Sequence, residues 1–264
     1  MYEARREVAS ASFRPLLSRM IKLHQLLEVR HLEAARLQEC YASRLEGWAG
    51  RTDATTAVPT FIDAVASAIG TKSAGVSLVG EDGAESLVAT SDHIARLAHD
   101  VEFVTGEGPA HDVAATMGTV RVDDSELTIR WPRFGAVVAD LGVGSLIGVP
   151  LRQEPGGCLG ALTVYDRAPV VAADTAATSI RVADAFIHTV LNLPGVVEDE
   201  QVPTVSLFDE IDFLATVHQA AGVVAAHLDC AAGDALALLR ARAFADGMPV
   251  EMLARQVICG DLLL

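Results

Sequence analysis

Apolar residues in this chain keep helical spacing at both ends and shift to short β-rich runs in the middle. Near the start, Leu16, Met20, Leu23, Leu27, Arg30, Ala34, Leu37 and Tyr41 recur at alternating steps of four and three. That spacing predicts one long helix over about 1–48 with a coiled-coil-like seam, interrupted by the polar Arg30. A seam needs a partner, and two remain open: the helix's own domain or a second copy of the chain. Gly47, Gly50 and the polar residues around them then close the helix.

Between about 58 and 192 the pattern alternates. Residues 59–69 suit an amphipathic helix, and 74–79 and 85–90 suit strands joined by a Gly80-Glu81-Asp82-Gly83 turn. Helices are expected near 92–100, from Pro109 to about 117, over 130–141 and over 173–191, with strands at 119–122, 144–152 and 157–166. The stretch 193–203 holds Pro194, Gly195, three consecutive acids and Pro203, the composition of a linker. Beyond it, Leu207, Ile211, Leu214, His218, Ala221, Ala225 and Leu228 mark one helical face. Two partners for that face follow, Ala235, Leu238, Leu239 and Ala243, then Val250, Leu253, Ala254 and Val257 after the breaker Gly247-Met248-Pro249. Small residues at the contacts favour a compact three-helix bundle over 204–264. The whole is an α+β chain.

Charge narrows the function classes. With 264 residues, half of them hydrophobic, the chain can bury a sizeable core, and its net charge of -15 disfavours coating nucleic acid or anionic membranes without specificity. No apolar run reaches the length of a membrane span and the start lacks a signal-peptide centre, so a cytoplasmic location is expected. Cys40, Cys158, Cys230 and Cys259 lie far apart, which predicts buried free thiols and no metal site. Gly106-Glu107-Gly108-Pro109 has no lysine-serine pair after it, and the proline removes an amide donor, so a turn at a helix start is expected there rather than a phosphate loop. Asp123-Asp124 suits a solvated loop, no nucleophile and base stand in a supporting motif, and no enzymatic activity is expected.

The middle segment resembles the GAF sensory domain. Gly106-Glu107-Gly108-Pro109, then Asp123-Asp124 with Arg130-Trp131-Pro132-Arg133-Phe134, then Gly144-Ser145-Leu146-Ile147-Gly148-Val149-Pro150-Leu151 and Leu159-Gly160-Ala161-Leu162-Thr163-Val164-Tyr165 carry the likeness, over a domain of about 57–192. The resemblance implies a central antiparallel sheet of about six strands flanked by helices, with a small-molecule pocket beside it. Phe103, Trp131, Phe134, Val149, Leu151, Thr163 and Tyr165 are the candidate lining. They would equally make an ordinary core. Bilin attachment would need a cysteine near the pocket, Ala110 stands where many relatives carry a cysteine, and the identity of any cofactor is left open.

The last segment resembles the ANTAR output module. Gln219-Ala220-Ala221-Gly222, Leu228-Asp229-Cys230, Ala235 to Ala243 and Val250 to Ile258 follow one another with that module's spacing. The resemblance implies binding of tandem RNA hairpins and suppression of transcription termination. Gln219, Gly222, Arg240, Arg242 and Arg255 are the candidate RNA-binding residues, with Arg240 foremost because it follows Leu239 as in the family. Ala221 and Leu214 replace a lysine and an arginine common there, and three arginines face eight carboxylates from Thr204 onward. Two readings therefore stand: a homodimeric GAF-ANTAR regulator acting on RNA, or a signalling scaffold whose acidic bundle makes protein contacts.

Overall fold

The computed structural model describes residues 13–50, 59–79, 85–153, 157–188 and 212–262. The turn at Gly80-Glu81-Asp82-Gly83, the 193–203 linker, and Leu207 and Ile211 of the C-terminal face lie outside the described residues.

Helix α1 (Arg14–Ala49) packs along part of its seam and leaves the rest exposed. Its second half packs on its own domain: Leu37 is fully buried, Tyr41 meets Phe61 edge to face at 5.4 Å, and Arg30 donates to Asp184 at 2.6 Å. The polar break in the seam is thus an ion-pair position. In the first half, Leu16, Leu23 and Leu27 are exposed together with Phe13, Leu26, Val29 and Leu32.

Helix α2 (Phe61–Ile69) begins at a capping box in which the Thr60 amide donates to Asp63 at 2.8 Å, and it ends at Gly70 in the left-handed region. Then come β1 (Ser73–Val79), β2 (Glu85–Thr90), α3 (His93–Thr105), α4 (Pro109–Thr116) and β3 (Val120–Val122). They are followed by α5 (Asp124–Arg130), α6 (Pro132–Asp140), β4 (Ser145–Gln153), β5 (Gly157–Asp166) and α7 (Ala173–Phe186). The single helix expected over 130–141 is two helices. Trp131 precedes Pro132, which drives it out of the helical region to φ -130°, ψ 88°, and the break falls there. Asp123 is not loose either, since its carboxylate accepts from the Val171 amide at 3.1 Å.

Among the described residues the sheet has five strands in the order β2-β1-β5-β4-β3, every neighbouring pair antiparallel, where about six were expected. Gly160 lets β5 approach β1: its φ is +151°, and a Cβ there would overlap the Ser77 carbonyl. One sheet face, with Ile147, Val149, Leu151, Leu162 and Val164, packs on α1, α2 and α7. The other, with Leu146, Ala161 and Tyr165, packs on α3 to α6.

The chain closes with α8 (Asp212–Leu228), α9 (Ala232–Asp246) and α10 (Val250–Cys259), the three helices expected. The buried stripe of α8 is Val217, Ala220, Ala221 and Val224. Its expected members His218 and Leu228 are exposed, so the face is turned by one position from the one proposed, while Leu238 of α9 is exposed as well. Among the described residues no single helix is long and apolar enough to cross a membrane. The four thiols are free, but Cys259 is exposed and the others are half-buried, so the expectation of buried thiols fails.

Candidate functional site

The seven residues proposed to line one pocket are buried, yet the strands send them to different places. Register decides this. Val149 pairs with Leu162 on the face of α1, α2 and α7, whereas Thr163 pairs with Gly148 and Tyr165 with Leu146 on the opposite face. Leu151 joins Val149, and Trp131 and Phe134 join Tyr165. Phe103 joins neither, because it enters the core of the C-terminal bundle.

The face that holds Trp131, Phe134, Thr163 and Tyr165 is filled by protein. Trp131 lies 5.4 Å from Phe134, edge to face, in the core rather than in solvent. A Cβ on Gly148 would press on Val113 and Pro109 at 3.0 and 3.3 Å, so α4 sits directly on the sheet at that point. Tyr165 lines a cleft of about 450 Å³ at the sheet's end, together with Thr71, Lys72, Ser73, Asp166 and Arg167. Ser73 there donates to Asp92 at 2.5 Å.

Two carboxylates explain the Gly-Glu-Gly-Pro stretch. Glu102 is buried and accepts from the amides of Ala110 at 2.7 Å and His111 at 3.0 Å, satisfying the open first turn of α4. Gly108 is a glycine because a Cβ would run into that carboxylate. Glu107 accepts from the Arg133 amide and from its guanidinium, both at 2.8 Å, at the start of α6. The backbone amide of Arg133, chief among these contacts, holds the Glu107 carboxyl below the usual range. The stretch is a double helix start held by anions of the chain itself. Spacing alone pointed to a turn; the roles of Glu102 and Glu107 depended on which helices the turn brings together.

Residues 53–184 match the GAF domain family. The chain belongs to that family. It is also similar to a GAF domain of an Acinetobacter phosphoenolpyruvate-protein phosphotransferase, at 13% identity over 63% of this chain and 96% of that one, with a TM-score of 0.34. A domain assigned to a two-component sensor histidine kinase of Sinorhizobium meliloti is similar at 21% identity over 46% of this chain and 78% of that one, TM-score 0.34. No curated protein matches.

Of the five candidate RNA-binding residues, Arg240 is drawn into the junction with the GAF domain, while Gln219, Gly222, Arg242 and Arg255 are exposed. Arg240 lies on the GAF domain: its guanidinium stacks over the Phe103 ring at 3.8 Å from the centroid. Arg242 bonds Asp246 and Arg255 bonds Glu251, both at 2.6 Å and both exposed. Gln219 is exposed, and Gly222 faces open space, so it does not serve a close helix approach. Sequence spacing put Arg240 on a helix but could not see the aromatic ring, 137 positions earlier, that takes it.

The junction of GAF domain and bundle is built on α3. Phe103, 1% exposed, packs with Val217, Val224, Leu239 and Leu253, and Arg96 is ion-paired with Glu251 of α10. Between them on α3, Asp100 is 6% exposed, and its Oδ1 has no hydrogen-bond partner among the described residues. Burial pushes its carboxyl up to about 6 against the opposing pull of His99, Arg96 and His93, with Glu251 adding to the rise. None of the sequence patterns flagged this carboxylate.

Proposed function

We propose that the chain is a signal-responsive, non-enzymatic cytoplasmic regulator. The GAF domain senses a small molecule, the bundle over about 204–264 binds structured RNA to prevent transcription termination, and the helix over about 1–50 pairs two copies. The observation that carries the output reading is the run of ANTAR-like residues on three consecutive helices that meet through Ala220, Ala235 and Ala254, all fully buried. The exposed Leu16, Leu23 and Leu27 support the dimer. Light scattering on a Leu23→Glu, Leu27→Glu variant is expected to report a monomer, and an unchanged mass would remove the seam from the reading.

Arg240 on Phe103 favours a second reading, in which the acidic bundle is a docking and protein-contact module of a scaffold. A gel-shift series with tandem-hairpin RNA separates the two. On the first reading the protein binds at low salt, and Arg242→Ala weakens binding across RNA sequences while flattening the salt dependence by about one unit of slope. Absence of binding at low salt leaves the scaffold.

A further inference from the structure

A groove of about 320 Å³ runs between the GAF domain and the bundle, at the lower end of the range for small-molecule sites. Leu97, Val101 and Val104 of α3 and Val137 of α6 form one wall, and Phe244 near the end of α9 and Met248 of the α9–α10 turn form the other. Three further side chains give it polarity: Asp100, Thr105 and Arg133. Arg133 is held by Glu107 at 2.8 Å, and the Thr105 hydroxyl donates to the Val101 carbonyl at 2.7 Å. The Arg133 Nε–H and the Thr105 hydroxyl proton are thus in use. What the groove still wants is a donor, for the buried Oδ1 of Asp100.

We propose that this groove binds a small apolar amine, its ammonium group against Asp100 and its hydrocarbon body between α3, α6 and the α9–α10 turn. A carboxylate deprived of water in an apolar setting is ill at ease alone and strongly favoured beside a cation, which selects an amine over an alcohol and excludes an acid. The raised Asp100 carboxyl, at about 6, fits a group whose burial outweighs the pull of His99, Arg96 and His93. Because the walls come from both modules, the amine would tie the bundle to the GAF domain. Val137 and Phe244 are 40% and 57% exposed, which leaves the groove a mouth to solvent.

Calorimetric titration of the full chain at pH 7.5 with 4-phenylbutylamine, 4-phenylbutan-1-ol and 4-phenylbutyrate tests this. The amine is expected to bind at least tenfold more tightly than the alcohol, and the acid not at all. In Asp100→Asn the amine and the alcohol become equal, and Val137→Trp, which fills the mouth from an exposed position, abolishes binding of both while the free protein's melting temperature stays put. Failure of the amine to bind at millimolar concentration, or undiminished amine affinity in Asp100→Asn or Val137→Trp, overturns the site. No RNA enters the titration, so its outcome is independent of the output reading.

Discussion

The GAF domain and the C-terminal bundle are held together by different means. In the GAF domain side chains close four of the six helix starts, Thr60 with Asp63, Asp92 on the Ala95 amide at 2.9 Å, Glu102 on α4 and Glu107 on α6, while α5 and α7 have no side-chain cap bond. In the bundle, Ala231 precedes α9 and Pro249 precedes α10, and neither start has a side-chain cap bond. The GAF domain adds a five-stranded sheet in fixed register, while the bundle adds small-residue packing and borrows Phe103. A module of that size with open helix starts is marginal alone. Docking supplies part of its stability, so the interface should govern it.

The sharpest break is expected in the sheet. Gly160→Ala sets a side chain into the β1 backbone at a φ of +151°, and several kcal/mol of destabilisation are expected from overpacking and strain together. Urea unfolding followed by circular dichroism checks this, and the bundle's residues should unfold with the sheet. Phe103→Ala tests the junction from the other side, at about 3–4 kcal/mol for a fully buried aromatic. Calorimetry should then resolve two transitions, the bundle melting first. A single transition at the wild-type temperature would mean the bundle does not lean on the GAF domain.

Asp100→Asn has a signed pH signature. Because burial lifts the folded-state pKa to about 6 from 3.8, the folded form holds its proton more tightly, and Asp100 costs nothing below about pH 3.8. As pH rises through about 6 the cost grows to about 2–3 kcal/mol. Relative to Asp100→Asn, wild type should therefore lose stability between pH 4 and 7, an effect read from urea midpoints along the pH series. His99, Arg96 and His93 oppose the burial of this group and Glu251 adds to it, and a flat difference would mean that the first three fully compensate both. The smallest change expected is a gain. Ala231→Ser should supply the missing cap of α9 and raise the stability of the bundle by about 1 kcal/mol, seen as slower amide exchange within α9.

What the sequence disclosed and what it hid follow the same division. Runs with period 2 disclosed the strands, and β2 and β5 lie where alternation put them. The breakers Gly247 and Pro249 likewise placed the boundary of α9 and α10. Parity along β4 and β5 was also present, since Val149 and Leu151 share one face, but the face of Thr163 is fixed only by its pairing with Gly148. Pro132 marks the break between α5 and α6, which the apolar period across 130–141 masks. Hidden altogether were contacts between distant segments: Arg240 with Phe103, Arg96 with Glu251 and the lone Asp100. Those make the candidate site, and no local periodicity encodes them.

The anchoring of α1 through Arg30 and Asp184 has a mechanical consequence. Downstream of that ion pair the helix is clamped to α2 and α7; upstream, 14–29 project as an arm of roughly 24 Å at 1.5 Å per residue. With a fulcrum at Arg30, a tilt of about 5° at the clamp carries the tip through roughly 2 Å. Small rearrangements around α7 are thereby geared up at the far end of α1, where two arms laid side by side would feel them as a change of pitch.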